Sequence, residues 1–320
     1  MSRSFGKIIA TARYLPQKVV TNDDLTEWMD TSDEWIQSRT GIEQRHIAEG
    51  ENTSDMCGQV AKKLVEKAAI DPMSLDFIIV ATMSPDYTSP SVACQVQGQI
   101  GAEQAMAFDV AAACAGFVYA LATAENFIRG GMQRGIVIGG EKTSKLLDWH
   151  DRSSAVLFGD GAAGVLLEAG EEPSIIKQML RADGKQAKAL TAGFRANKNI
   201  FHEESETDTA LAMDGRGIWN FALNDVTKSL KEFVCDESVD YYLLHQANKR
   251  IIEKIARKMG EPIEKFPMNL MKYGNTSAAS IPILLDELVE TNRLSLNGGQ
   301  KIVLTGYGGG LAWGNLLIQL

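Results

Sequence analysis

The stretch DVAAACAGFVYAL, Asp109 to Leu121, decides how the rest of the chain is read. Small residues crowd around Cys114. Phe117, Val118 and Leu121 then recur at helical spacing, which predicts a tight turn feeding a buried helix with Cys114 at its start. A helix N-terminus presents unbonded N–H groups and a partial positive charge, so this placement favours thiolate over thiol. The flanking alanines and Gly116 leave room for a substrate to approach. Free cysteine is also among the most buried residue types, and on this stretch alone a core cysteine and a reactive one stand level.

Outward from Cys114, Ala105 to Val110 reads as the strand entering the helix, and GIVIGGEKTS, Gly135 to Ser144, as a strand ending in a glycine pair. Upstream, Lys7 to Thr11 predicts a first strand, and Thr21 to Asp24 caps a short helix through Met29. In DTSDEWIQSRTGI, Asp30 to Ile42, Trp35 and Arg39 fall on one helical face. An amphipathic helix spans about Met56 to Ala69 and ends at the Asp71-Pro72 break. LDFIIVATM, Leu75 to Met83, has buried-strand character, and another helix runs from Val92 to Ile100. Alternating helices and continuously apolar strands predict an α/β architecture with buried sheets.

The second half repeats this order. VDYYLLHQAN, Val239 to Asn248, parallels LDFIIVATM, and a helix from Lys249 to Met259 parallels the one near Val92. Phe266 to Leu270 parallels the strand Ala105 to Val110. GNTSAAS, Gly274 to Ser280, sits where AAACAG sits and opens a helix through Val289, and KIVLTGYGGG, Lys301 to Gly310, parallels GIVIGGEKTS. The pattern predicts a duplicated unit with halves at 1–170 and 171–320. Cys114 and Asn275 would then begin equivalent helices and face one another, with His245 at a nearby strand end. The polar stretch from Gly170 to Gly215, including HEESETD from His202 to Asp208, reads as surface loops without chemistry.

With 320 residues and 45% hydrophobic content the chain can bury a large core. A formal net charge of -9 argues against broad nucleic-acid or anionic-membrane binding. Cys57, Cys94, Cys114 and Cys235 are scattered without CxxC pairs or His/Cys clusters, so no disulfide framework or zinc site is expected, and a reducing cytoplasm fits. No window approaches a membrane span or a signal peptide. GDGAAG and GYGGG lack the spacing of phosphate loops and read as tight turns at sheet ends.

CAGFVYAL, HQAN, YGNTSAAS and the terminal GYGGGLAWG, in that order, with DTSDEWIQSRTGI and FGDGAAG, resemble the thiolase-fold condensing enzymes. The closest likeness is to the β-ketoacyl-[acyl-carrier-protein] synthase III family, over essentially the whole chain. The resemblance implies a thiolase-like fold, two duplicated α/β halves in a five-layered αβαβα arrangement. It also implies a Cys114, His245, Asn275 triad, with an oxyanion hole at the backbone N–H groups of Cys114 and Gly309. Trp35, Arg39 and Arg152 match coenzyme A-binding positions. In the family, an asparagine as third member goes with initiating synthases and the chalcone-synthase type, whereas elongating synthases carry a second histidine and thiolases a second cysteine. The implied reaction is a ping-pong decarboxylating Claisen condensation of an acyl-CoA primer with malonyl-acyl carrier protein, in a cytoplasmic homodimer without bound cofactor or metal.

Residue chemistry fits these roles. A thiolate holds an acyl group as thioester better than an alkoxide does, and the enolate left by loss of CO2 needs donors aimed at its oxygen. Arg250, Lys254, Arg257 and Lys258 fall on one face of the Lys249–Met259 helix, opposite Ile251, Ile252, Ile255 and Met259. In an acidic protein that basic face is a docking surface for acidic acyl carrier protein, although a solvated face is its ordinary meaning. Many family members carry a bulky residue where Ser89 precedes Pro90 here, and the small side chain predicts a primer pocket open to chains beyond acetyl, with Tyr87 the neighbour able to refill that volume. Two other classes stay open: a cysteine hydrolase in which water resolves the acyl-enzyme, and a silent acyl-binding protein.

Overall fold

The computed structural model describes residues 4–204 and 209–320, so Ser205 to Asp208 of the HEESETD run lie outside the described residues. The first half contributes β1 (Phe5–Tyr14), β2 (Lys18–Thr21), α1 (Asp33–Thr40), β3 (Gln44–Ile47), α2 (Thr53–Ala68), β4 (Phe77–Ala81), α3 (Val92–Ile100), β5 (Met106–Val110), α4 (Gly116–Arg129), β6 (Arg134–Glu141) and β7 (Gly161–Gly170). Five of these strands form one sheet in the order β1-β7-β6-β4-β5. The chain continues through β8 (Ile175–Ala182), β9 (Leu190–Thr191), β10 (Ala212–Met213), α5 (Gly215–Phe221), α6 (Thr227–Val234), β11 (Tyr241–Leu244), α7 (Lys249–Met259), α8 (Leu270–Tyr273), α9 (Ser280–Glu290), β12 (Lys301–Gly308) and β13 (Ala312–Gln319). The second sheet runs β8-β13-β12-β11.

From its outer edge inward, the second sheet repeats the first one strand short. Each has two antiparallel steps (β1-β7-β6 and β8-β13-β12) followed by a parallel one (β6-β4 and β12-β11), and the first adds a further parallel strand, β5. The missing strand is Phe266 to Leu270, which is irregular and then helical. Pro267 falls inside it and lacks the N–H that a ladder needs. The 170–215 stretch is also more than loops, since β8 closes the second sheet. Seven of its eight residues are exposed or half-exposed, so it is an edge strand whose polar face hides the pattern.

Helices α4 and α9 lie back to back between the sheets, each touching strands of both, while α2 and α3 cover the outer face of the first sheet and α6 packs on β13. The layers are therefore αβαβα. Being covered on all sides explains the near-continuous burial of α9 from Ser280 to Asp286. Two glycines let the central layer form. A Cβ on Gly139 of β6 would lie 2.3 Å from the Ala278 carbonyl oxygen, and one on Gly306 of β12 would lie 2.9 Å from Ala115 Cα. Each sheet thus receives the turn that opens the other half's central helix. Among the described residues, no helix is long and apolar enough to cross a membrane, and no group of three or more His, Cys, Asp or Glu could hold a metal ion.

Candidate active site

Cys114 sits in a 3-10 turn, Ala113–Ala115, immediately ahead of α4. Asn275 lies two residues before the matching turn, Ser277–Ala279, ahead of α9. Ala113 and Ser277 are the true equivalents, with φ of 44° and 49°. Register therefore pairs Cys114 with Ala278 rather than with Asn275, a correction to the simple duplication. Asn275 still reaches the site, because its N–H donates to Leu157 O (2.8 Å) and its own carbonyl accepts from Gly159 N–H (3.1 Å), bending the segment beside Phe158.

His245 follows β11 directly and is held by its N–H to Thr305 O at 2.8 Å. Cys114, His245 and Asn275 meet at the floor of one cavity of about 380 Å³, together with Tyr307 and Gly308. Its mouth carries Trp35, Arg39, Arg152, Trp219 and Arg250, and Leu190 of β9 and Met213 of β10 complete the wall. The segment read from sequence as featureless loop therefore lines the site.

Burial decides the charge states. It pushes the Cys114 thiol up to about 12, with the Glu141 carboxylate adding in the same direction, while the Ser277 hydroxyl and the Cys114 backbone N–H favour the thiolate. Desolvation outweighs these two hydrogen bonds, so burial favours the thiol, contrary to the expectation from its helix-start position. Burial likewise drops His245 to about 3, leaving it neutral at physiological pH. Its Nδ1 lies 2.7 Å from Ser280 Oγ, which also accepts from Gln246 N–H at 3.4 Å. That hydroxyl has its own proton to give to Nδ1, and on this pattern we assign the Nε2–H tautomer. Asn275 Oδ1 accepts from Ser277 N–H at 2.9 Å, which leaves Nδ2 as the free, donating end of the amide. His245 and Asn275 thus offer N–H donors to the same cavity as the thiol.

Gly308 abuts Cys114: a Cβ there would lie 2.8 Å from Cys114 Cβ. Gly309, the residue named for the oxyanion hole, comes one step later, against Ala113 and Leu190. At the mouth, the guanidinium carbons of Arg39 and Arg152 stand 4.4 and 5.1 Å from the centre of the Trp35 ring. Ser32 caps α1 by accepting from Trp35 N–H (3.1 Å), which fixes where the indole emerges. Of the basic face on α7, Arg250 and Lys254 lie over Trp219, at 5.5 and 4.7 Å. Arg257 is exposed, but Lys258 turns back to donate to Leu223 O (2.8 Å), so its ammonium leaves the patch. Tyr87 and Ser89 lie on the exposed loop before α3 and do not line their own chain's cavity. Sequence reasoning passed over Trp219, Tyr307, Ser277, Ser280 and Glu141. A charged residue closing the apolar run GIVIGGE was the one available signal for Glu141.

Comparison with known proteins points to one family. The model of the 3-oxoacyl-[acyl-carrier-protein] synthase III C-terminal region matches residues 232–320, and the 3-oxoacyl-[acyl-carrier-protein] synthase III model matches residues 108–184. The chain is 57% identical over 320 residues to a β-ketoacyl-[acyl-carrier-protein] synthase III of Enterococcus faecalis, covering 99% of this chain and 100% of the relative. The counterpart from Streptococcus suis is 54% identical over 324 residues at 99% and 100% coverage. The crystal structure of 3-oxoacyl-[acyl-carrier-protein] synthase III from Aquifex aeolicus superposes with a TM-score of 0.91 at 41% identity, over 98% of this chain and 100% of that one. The priming β-ketosynthase of the R1128 polyketide pathway gives 0.92 at 30%, over 100% and 97%. With relatives more than half identical along their whole length, the chain belongs to the β-ketoacyl-[acyl-carrier-protein] synthase III family of thiolase-fold acyltransferases.

Proposed function

We propose that the protein initiates fatty acid synthesis by condensing a short acyl-CoA with malonyl-acyl carrier protein, giving 3-oxoacyl-acyl carrier protein, CoA and CO2. The observation that carries the residue roles is the convergence of one thiol and two N–H donors, Cys114, His245 and Asn275, at the floor of a single cavity. Cys114 Sγ attacks the acyl-CoA carbonyl carbon, and CoA leaves as its thiol. The backbone N–H groups of Cys114 and Gly309 hold the intermediate's oxyanion, the close approach of the glycine run supporting this placement. Malonyl thioester then loses CO2, and His245 Nε2–H and Asn275 Nδ2–H stabilise the enolate oxygen. The enolate carbon attacks the acyl-cysteine carbonyl carbon, the carbon–sulfur bond breaks with its electron pair staying on sulfur, and Cys114 takes up one proton from solvent. Each turnover therefore consumes one proton and needs no bound cofactor or metal.

Trp35, Arg39 and Arg152 hold the nucleotide end of acyl-CoA, with a flat base sliding against the indole and guanidinium planes at the mouth. Arg250, Lys254 and Arg257 receive acyl carrier protein beside the same mouth. A homodimer, a division near residue 170 and a cytoplasmic setting belong to this reading. Strand β5 supports the dimer, because it ends the five-stranded sheet with one edge unpaired and all five residues half-buried. Asp109 at its end accepts from Val92 and Ala93 N–H at 2.7 and 2.8 Å, tying the Tyr87–Ser89 loop's exit to that edge. From there Ser89 faces a partner's primer pocket and admits longer chains. Four free cysteines fit a reducing compartment.

The test is a product assay with acyl-CoA and malonyl-acyl carrier protein. Equal yields of CO2 and 3-oxoacyl product support the proposal, whereas free carboxylic acid without carbon–carbon bond formation identifies a hydrolase. A monomer in sedimentation, or activity confined to acetyl-CoA across a chain-length series, removes the dimer or the open primer pocket respectively.

A further inference from the structure

Strand β6 ends on a carboxylate that the condensation chemistry above does not use. Glu141 is fully buried. Its Oε2 accepts from Ser84 Oγ (2.5 Å), Ser84 N–H (3.1 Å), Thr82 Oγ1 (3.1 Å) and Met83 N–H (3.1 Å). Its Oε1 accepts from Ser277 Oγ at 3.0 Å and from Met83 N–H at 3.2 Å. No cation pairs with it among the described residues: Lys142 reaches Glu51 O and Lys145 reaches Pro85 O, both by backbone contact. The place is specific. Glu141 closes β6 as Gly308 closes β12, so one strand end meets Ser277 where the other meets Cys114.

Ser277 joins the two ends. Its hydroxyl donates to Glu141 Oε1, its turn packs directly on the turn that holds Cys114, and its remaining lone pair is open to accept an S–H proton. A base is needed there, because His245 in its Nε2–H form presents a donor and has no free lone pair to take that proton.

We propose that Glu141, acting through Ser277, takes the proton of Cys114 during acylation. This rests on Cys114 being the acyl carrier. The S–H proton passes to Ser277 Oγ while the Ser277 proton passes to Glu141 Oε1. The sulfur lone pair forms the bond to the thioester carbonyl carbon, and the carbonyl π pair moves onto oxygen. On collapse the carbon–sulfur bond to CoA breaks, its electron pair stays on the CoA sulfur, and that sulfur recovers the proton from Glu141 by way of Ser277. The buried cluster carries one negative charge throughout, which avoids creating a second ion in an apolar site. Burial holds the Glu141 carboxyl up to about 7, near a useful base strength at neutral pH. The other titratable groups that feel its charge are Cys57 on α2, Cys114 itself and Lys145.

The experiment measures iodoacetamide alkylation of Cys114 by peptide-resolved mass spectrometry from pH 5 to 10, in the full-length protein and in Glu141→Gln and Ser277→Ala. Ala113 already holds the backbone conformation of Ser277, so the alanine variant is compatible with the fold and decides the matter if Glu141→Gln does not fold. The wild-type rate should rise through about pH 7 and then level off. Both variants should lose the plateau and react at least about tenfold more slowly at pH 7.5, the equivalent of one pKa unit. Variants that react as fast as wild type, or faster as mere charge repulsion would require, overturn the relay. A parallel acyl-CoA incubation separates the two ideas. No acyl group on wild-type Cys114 overturns the carrier role, whereas equal acylation rates in wild type and variants overturn the relay alone.

Discussion

Ala113 and Ser277 hold the same left-handed backbone, φ 44° and 49°, at the first residue of the two turns that open the central helices. Neither is glycine, so the strain at both positions is stabilised by packing: each turn is pressed into the other half's sheet at a glycine. Gly139→Ala places a methyl against the Ala278 carbonyl, a backbone group with no room to retreat. The expected outcome is a loss of about 1–3 kcal/mol in unfolding free energy, with acyl loading and condensation falling together. Chemical denaturation checks it, and a variant as stable as wild type contradicts the packing.

In the proposed mechanism Asn275, whose Oδ1 is held by Ser277 N–H, offers its Nδ2 to the enolate and has no part in loading Cys114. Asn275→Ala should lower malonyl decarboxylation by roughly 10²–10³-fold, as removal of one oxyanion donor does elsewhere, while the rate of acyl loading stays within a few fold. Stopped-flow loading and CO2 release measured on the same variant separate the steps. Equal loss in both would place Asn275 in a purely structural role.

Glu141 gives a pH signature in stability. Its folded-state pKa of about 7 lies above the ordinary carboxyl value of 4.5, so its contribution is present below pH 4.5 and is lost as pH rises through 7. The stability of wild type relative to Glu141→Gln should therefore fall by about 3 kcal/mol between pH 4 and pH 8. His245, whose folded pKa of about 3 lies below its ordinary 6.5, acts in the opposite sense, losing stability as pH falls from 6.5 towards 3. It is common to both proteins and cancels in the difference. A flat difference across this range would mean that Glu141 is ionised as usual.

The mouth predicts a split between the two substrates. Trp35→Ala should raise KM for acyl-CoA roughly fivefold with kcat retained, because stacking on a ring contributes about 1 kcal/mol to binding and nothing to bond making. Arg250→Glu should raise KM for malonyl-acyl carrier protein, more so at low salt, through repulsion of an acidic partner. Turnover with the carrier unchanged in Arg250→Glu contradicts the docking surface.

Much of the site was legible because its residues announce themselves locally. The small-residue run before Cys114, the strand ending in His245 and the turn carrying Asn275 are each contiguous in sequence, and the cavity brings all three together. Relations across the chain were harder to read. The turn geometry shifts the equivalence by three residues, so that Cys114 matches Ala278. Pro267 removes a strand that the repeat led one to expect. The ionisation of Cys114 follows from burial between two sheets, which no helix-start rule contains. The donors that hold Glu141 come from Thr82 to Ser84 and from Ser277, positions far apart in sequence. Lys258 looked like part of a basic face until the carbonyl of Leu223 claimed it.

The central claim is that Cys114 carries the acyl group between the two substrates. Intact-mass analysis after incubation with a short acyl-CoA tests it most directly. One acyl mass per chain, located on Cys114, absent in Cys114→Ala and discharged within seconds by malonyl-acyl carrier protein, is the predicted result. A wild-type chain that stays at its unmodified mass while turning over, or an adduct that malonyl-acyl carrier protein leaves in place, would contradict it.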